Sequence, residues 1–303
     1  MIYTLTLNPA IDYLVFVDEF ESGKLNRSKK EYKFAGGKGI NVSRVLKNMD
    51  LKSIAFGFIG GFSGEYLKSL LEKEDIESDF VKVDGDTRIN IKLKSNEETE
   101  INANAPEIKE SDIDLLLTKI DGLKKDDILV LAGNIPSTMP NNIYEIILKR
   151  LEKKGIKALV DTTKESLLCT LKYKPFLIKP NIVELEELFD TKIETEEEII
   201  KYSKELLKKG AKNIIVSMGK DGALFINENN IYKANAPKGE LINSVGAGDS
   251  MVAGFIYKYI ETKDLMKSFR YSVASGSATA FSKDLAKIKD IKDLFLDILV
   301  EER

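Results

Sequence analysis

The chain contains no histidine and no tryptophan, and it has a single cysteine among 303 residues. Each absence removes a class of chemistry. Without imidazole there is no Ser-His-Asp or Cys-His nucleophile machinery, no histidine-ligated zinc and no imidazole proton shuttle. Acid–base work then falls to a carboxylate, a lysine or a tyrosine. One cysteine forms neither an internal disulfide nor a cysteine metal cluster, which excludes a disulfide scaffold and points to a reducing compartment; Cys169 itself is expected to be a small core residue. Neither sign of charge is in excess: 46 Lys and Arg against 49 Asp and Glu give a net charge of −3, which leaves no electrostatic footprint for nucleic acid. No apolar run approaches the ~18 residues of a membrane span, and the first residues lack the basic-then-apolar layout of a signal peptide. The expectation is a cytoplasmic protein with small-molecule partners and neither nucleic acid nor membrane among them.

What is present is a regular alternation. From about Lys124 onward, Ile128–Ala132 reads as a buried strand closed by Gly133. Ile143, Ile146, Ile147 and Leu151 fall at helical spacing before Gly155, and Ala158–Val160 is the next strand. Phe176–Ile178, a helix over Val183–Phe189, another over Glu196–Lys209 and a strand at Ile214–Val216 continue the pattern. Strands separated by helices of this length predict right-handed crossovers and a mostly parallel sheet covered on both faces, a three-layer α/β fold. A hairpin (Ala223–Ile226, Ile231–Ala234) and helices at Ser250–Tyr259, Leu265–Phe281 and Ile291–Leu299 are expected to follow. Two segments break the rhythm with short alternating strands: Tyr13–Asp18 with Lys29–Phe34, and Ile89–Lys94 with Thr99–Asn104. They predict a small antiparallel sheet acting as a lid over residues 12–34 and 87–104, set on a main domain of residues 1–11, 35–86 and 105–303. Its exposed strand edges predict a homodimer formed through the lid. The acidic run Thr195–Glu198 reads as a capping box with acids in a first helical turn.

Two glycine-rich elements lead into helices. In Ala35-Gly36-Gly37-Lys38-Gly39-Ile40-Asn41-Val42-Ser43, the glycines let a ligand approach bare backbone and the helix start offers free N–H groups to an anion; a tight turn needing positive φ is the competing explanation. In Asn243–Ser250, the amides of Gly246, Ala247 and Gly248 can converge on a developing oxyanion beside Asp249. In a protein without histidine, that aspartate is the best candidate for a general base, with helix capping as the alternative. Neither element is a Walker loop or a dinucleotide fingerprint: Gly219-Lys220 is followed by Asp221, and Gly246-x-Gly248 meets Met251. Asn8-Pro9-Ala10-Ile11-Asp12 lies after the first strand, where open α/β sheets bind ligands. Lys179-Pro180-Asn181-Ile182-Val183-Glu184 closes another strand, with Asn181 and Glu184 one helical turn apart. That pair can organise a hydrated Mg²⁺ or simply cap a helix.

The joint occurrence of NPxxD, AGGKGxNV, a GGxxG loop at Gly60–Gly64, KPNxxE, VSMGxDG at Val216–Gly222 and NSVGAGDS, in this order over nearly the whole chain, resembles the PfkB carbohydrate kinases of the ribokinase-like fold. The GGKG form, Asn26-Arg27, Thr87–Asn90 and Thr99–Asn102 most resemble members that phosphorylate fructose 1-phosphate, with kinases of tagatose 6-phosphate or fructose 6-phosphate next. The resemblance implies ATP and Mg²⁺ as cofactors, leaves room for a monovalent cation, and makes Asp249 the base beside a Gly246–Gly248 anion hole. It implies that Asp12, Gly36, Gly37 and Asn41 hold the sugar, with Arg27, Arg88 and Lys38 as candidates for the substrate's own phosphate. It also implies that Lys179, Asn181, Ser217, Gly219, Gly222 and Gly248 line the ATP site, with Glu184 and Asn181 acting on Mg²⁺ through water. One departure is Ala103-Asn104-Ala105-Pro106, where the family usually has a Pro-Gly-Pro-like turn.

Overall fold

The computed structural model describes residues 1–303. An 11-stranded sheet organises the chain in the order Val300–Glu302, Ile231–Ala234, Ala223–Asn227, Asn213–Ser217, Leu177–Ile178, Lys157–Asp161, Ile128–Ala132, Ile2–Thr6, Ile54–Ile59 and Glu77–Ser78, with Val81–Lys82 also paired to Ile54–Ile59. From Asn213–Ser217 to Glu77–Ser78 every pairing is parallel. Such neighbours need long crossovers, and helices such as Lys38–Asn48 and Ile143–Leu151 supply them. The hairpin and the last strand pair antiparallel at one edge.

Successive side chains of the central strands enter opposite cores. In Ile128–Ala132, Leu129 and Leu131 join a cluster of 32 buried residues, while Ile128, Val130 and Ala132 join one of 28 on the other face. Nearly equal clusters mean that both faces are covered, which is why the strand is apolar throughout rather than alternating. The capping box of Thr195 and Glu198 opens the helix Glu196–Lys209 as expected. Other boundaries differ. The last helix covers Ile288–Phe295 rather than running to Leu299; Ile298 is buried and Val300 begins an edge strand on Ala234. Leu296 and Leu299 are 75% and 67% exposed, so they mimicked a helical pattern without contributing to a core. Cys169 is half-buried rather than a core residue, and burial raises its thiol pKa. No helix is long and apolar enough to cross a membrane.

A second, four-stranded sheet runs Lys30–Gly36, Ala10–Phe16, Arg88–Lys94, Glu98–Ile101. The outer pairings are antiparallel, whereas Ala10–Phe16 and Arg88–Lys94, which come from the two separate insertions, are parallel. Period-two alternation divides its faces. Ile11, Ala35 and Ile89 pack with Ile59, Leu67 and Leu71 beside the helix Gly61–Lys73, while Asp12, Arg88, Asn90 and Lys92 lie on the opposite face and line the central cleft. The entry to Arg88–Lys94 is pinned by the GGxxG loop: the Gly60 amide donates to Thr87 Oγ1 at 3.0 Å and the Thr87 amide donates to the Gly60 carbonyl at 2.9 Å. Arg44, 7% exposed, donates to Glu74 at 2.8 Å and to Asp284 at 3.1 Å, which fixes the helix carrying Asn41 against its neighbours on both sides.

Candidate active site

The parallel strands point their carboxyl ends at one cleft of about 1060 Å³. Lys157–Asp161 ends on Asp161, Leu177–Ile178 runs directly into Lys179, and Gly37 turns the chain so that Lys38 is the first helical residue. These three meet. Asp161 is 3% exposed, with Oδ1 at 3.3 Å from Lys38 Nζ and 3.6 Å from Lys179 Nζ, while its Oδ2 is buried without a partner. Burial alone would raise the Asp161 pKa, but Lys179 and Lys38 outweigh it and hold the carboxyl below the ordinary range. For Lys38, burial opposes the charge, and Asp161, Asp249 and Glu184 overcome it, pushing the ammonium up to about 12.

Asp249 is the third residue of the helix Ala247–Thr262 and 5% exposed. Its Oδ2 accepts from Asn41 Nδ2 at 2.9 Å. Burial and the negative charge of Asp161 push its pKa up to about 6, against the opposing pull of Lys38, Asn41 and Lys179. A carboxylate that titrates near neutrality and is not locked in an ion pair is suited to taking a proton. Around it the chain leaves donors free. Gly246 adopts φ +79°, a left-handed conformation that L side chains rarely adopt, and this turns the loop into the helix. The Ala247 amide reaches back to the Ser244 carbonyl at 3.3 Å, whereas the amides of Gly246, Gly248 and Asp249 have no acceptor within the chain. Underneath, Ser250 Oγ donates to the Gly246 carbonyl at 2.9 Å and pairs with Thr279 Oγ1 at 2.6 Å, and Thr279 Oγ1 accepts from the Ala286 amide at 2.9 Å. The result is a braced, positive helix start beside a buried carboxylate.

The four-stranded sheet supplies another wall of the cleft. Asp12 Oδ1 accepts from Asn90 Nδ2 at 3.0 Å, and Asn90 Oδ1 accepts from the Ala103 amide at 3.3 Å, which ties down the loop that departs from the family pattern. A Cβ at Gly36 would overlap Asp12 Oδ2, so any larger residue there would displace the Asp12 carboxylate. Arg88 donates to the Asn8 carbonyl at 2.9 Å, and its Nε is buried without a partner.

Every candidate site residue named from the sequence lines this cleft except Gly36, which backs Asp12, and Arg27, which is exposed on the loop before Lys30–Gly36 and does not reach the cleft within the chain. Within the cleft Lys38 is paired with Asp161, close to Asp249. Asn181 and Glu184 form a reciprocal capping box, with Glu184 N donating to Asn181 Oδ1 at 2.8 Å and Asn181 N donating to Glu184 Oε2 at 2.9 Å. No group of three or more carboxylates or cysteines is assembled to hold a metal by itself. The orphaned Asp161 Oδ2 and the Oε1 of Glu184, which no donor engages, fit a hard cation that keeps most of its waters and takes the rest of its ligands from phosphates. Of the cleft residues, Asp161 and Lys92 were not singled out in the sequence, while Asn8 and Asn90 stood there only as parts of their motifs. Asp161 had a usable signal, since it ends a buried apolar strand at the carboxyl edge.

Comparison with known proteins agrees with this geometry. The profile described as pfkB family carbohydrate kinase matches residues 5–290. The chain is 48% identical over 300 residues to a 1-phosphofructokinase of Bacillus subtilis, covering 99% of both chains. It is 39% identical over 292 residues to a D-tagatose-1-phosphate kinase of Bacillus licheniformis, covering 96% of each. Among solved structures, phosphofructokinase-2 of Escherichia coli in complex with substrates and products superposes with a TM-score of 0.92 at 28% identity over 98% of each chain; the same protein has been solved in a tetrameric inhibited form. By its motifs, its sheet and this full-length similarity, the chain belongs to the PfkB family of carbohydrate kinases.

Proposed function

We propose that this kinase transfers the γ-phosphoryl group of ATP to the 6-hydroxyl of fructose 1-phosphate, giving fructose 1,6-bisphosphate. The observation that carries the chemistry is Asp249: buried, hydrogen-bonded to Asn41 and set at a helix start whose amides are free. The choice of acceptor follows the 1-phosphofructokinase named among the relatives, 48% identical over the full length. The tagatose-phosphate kinases among those relatives make tagatose phosphates the second reading.

The sugar lies between the lid and the main sheet, with Asp12 and Asn41 holding its hydroxyls and the acceptor oxygen directed at Asp249. Asp249 takes the hydroxyl proton as the oxygen attacks. The free amides of Gly246, Gly248 and Asp249 receive charge on the transferring phosphoryl, and Lys38 and Lys179 add two ammonium groups on the same side. Glu184 and Asp161 would hold Mg²⁺ through water, and the ion would supply positive charge against the nucleotide's phosphates. Ser217, Gly219 and Gly222 line the nucleotide end, where Leu241 and Val245, 69% and 41% exposed, offer an apolar face for a base. Phosphoryl transfer asks little covalent work of a protein, so positioning and charge supply most of the rate.

A coupled ADP-release assay across fructose 1-phosphate, tagatose 6-phosphate and fructose 6-phosphate is expected to give the highest kcat/KM with the first. A higher value for either of the others would transfer the assignment to that acceptor, and sugar-phosphate binding without ADP release would end the kinase reading. The four-stranded sheet is also proposed as the dimer contact, because its outer strands Lys30–Gly36 and Glu98–Ile101 each pair on one side only and Ile91 and Ile101, directly opposite each other on one face, are 36% and 58% exposed. Light scattering is expected to give twice the monomer mass, lowered by Ile101→Lys; a monomeric wild-type protein would refute the contact.

A further inference from the structure

Lys92 also lines the cleft, among side chains with no role in the proposed transfer. Lys92 sits four residues beyond Arg88 and two beyond Asn90 on the strand Arg88–Lys94, so the three share the face on which Asp12 lies. Its side chain is only 12% exposed, and its one ionic partner is Glu100, directly opposite on the neighbouring strand at 3.5 Å and itself 39% exposed. Arg88 is less well matched still: it makes one hydrogen bond to a carbonyl, no salt bridge, and keeps a buried Nε without a partner. Burial lowers the Arg88 pKa, with Asp12 the only charge opposing that shift.

Two desolvated cations on one strand face, one without a counterion and one loosely paired, form an anion site that the chain itself leaves unfilled. The site is also at the right end. Asp249 contacts Asn41; beyond the Gly36–Gly37 loop comes Asp12, then Asn90, with Arg88 and Lys92 flanking it along the strand. A sugar lying across Asn41 and Asp12 with one hydroxyl at Asp249 directs its far end to this pair.

We infer that Lys92 joins Arg88 in gripping the phosphate the acceptor sugar already carries, exchanging Glu100 for the substrate, and that Lys92 thereby sets the affinity for a phosphorylated acceptor. The inference rests on the proposed sugar-phosphate kinase activity. It assigns Lys92 to substrate binding and not to the transfer step, in which Lys38 and Lys179 are placed.

The test is a KM-against-kcat comparison of the full-length wild-type protein with Lys92→Met and Lys92→Arg, using fructose 1-phosphate and ATP. Loss of one hydrogen-bonded charge on a phosphate is expected to raise KM for the sugar phosphate on the order of 10- to 100-fold in Lys92→Met. Its kcat and its KM for ATP should stay within about threefold of wild type, the pattern of lost ground-state binding. Lys92→Arg should recover most of the affinity, which a lysine that merely packs the lid would not predict. An unchanged KM in Lys92→Met, or kcat falling together with the apparent affinity for both substrates, would overturn the assignment while leaving the kinase reading intact. Failure of the wild type to turn over any sugar phosphate would instead remove that reading and this inference with it.

Discussion

Asp249→Asn is expected to lower kcat by about 10²- to 10⁴-fold, the range for removing a positioned general base, without loss of the folded state. The asparagine keeps the shape and can still face Asn41 Nδ2 through its carbonyl oxygen, so the change isolates the proton acceptor. A variant retaining near-normal turnover would dismiss Asp249 as the base. The same carboxylate sets a pH signature. Because burial and Asp161 raise its pKa to about 6, the active deprotonated form is lost below that value, and kcat/KM for the sugar phosphate should fall on the acid side of about pH 6. Stability runs the opposite way for this group. Its folded pKa lies above the ordinary aspartate value of 3.8, so its favourable contribution is complete below 3.8 and is lost as pH rises through 6. Asp249→Asn should therefore melt higher than wild type at pH 8, with the difference shrinking toward pH 4. Asp161 carries the reverse sign: its lowered pKa makes it stabilising above the ordinary aspartate range, and that contribution is lost only in stronger acid.

Gly246→Val is expected to cost on the order of 10²- to 10³-fold in kcat, the scale set by losing an oxyanion donor, with a much smaller effect on sugar binding. Two physical effects act at this position. A β-branched residue is strained at φ +79°, and a Cβ would stand 2.6 Å from Leu285 Cδ2. Leu285 is adjacent to Ala286, whose amide braces Thr279 and, through it, Ser250 under the helix start. Displacing the loop therefore moves the free amides away from the transferring group while the four-stranded sheet, which carries Asp12 and Arg88, is untouched. Steady-state kinetics resolve the two effects: a fall in kcat with a stable KM supports the anion hole, and a large rise in KM for the sugar phosphate with preserved kcat would argue against it.

The fold was readable wherever a single periodicity dominated. Ile128–Ala132, Glu196–Lys209 and the hairpin at Ala223–Asn227 carry clear buried-strand, amphipathic or turn signals, and the structure places them as expected. The chain end was misread because Leu296 and Leu299 look helical in sequence but are exposed, and the edge strand at Val300–Glu302 is too short to show alternation. The parallel contact between Ala10–Phe16 and Arg88–Lys94 joins segments more than 70 residues apart in the numbering, a separation no local pattern reports. At the site, glycine-flanked residues stood out because a helix start without side chains implies a ligand. The pairing of Lys38 with Asp161 was not legible, since it depends on a helix start and a strand end 123 residues apart meeting in space. Lys92 was invisible for a similar reason: on a strand of alternating charged and apolar residues it reads as solvent-facing, and only the placement of the four-stranded sheet beside the main sheet makes it a cleft residue.

The central claim is that this site moves a phosphoryl group from ATP onto the free end of a sugar phosphate. The most direct test is ³¹P NMR of the products formed by the wild-type protein from ATP, Mg²⁺ and fructose 1-phosphate. The account predicts ADP together with a new phosphomonoester signal at the 6-position in equal amount. ADP accompanied only by inorganic phosphate, or no consumption of ATP, would contradict it.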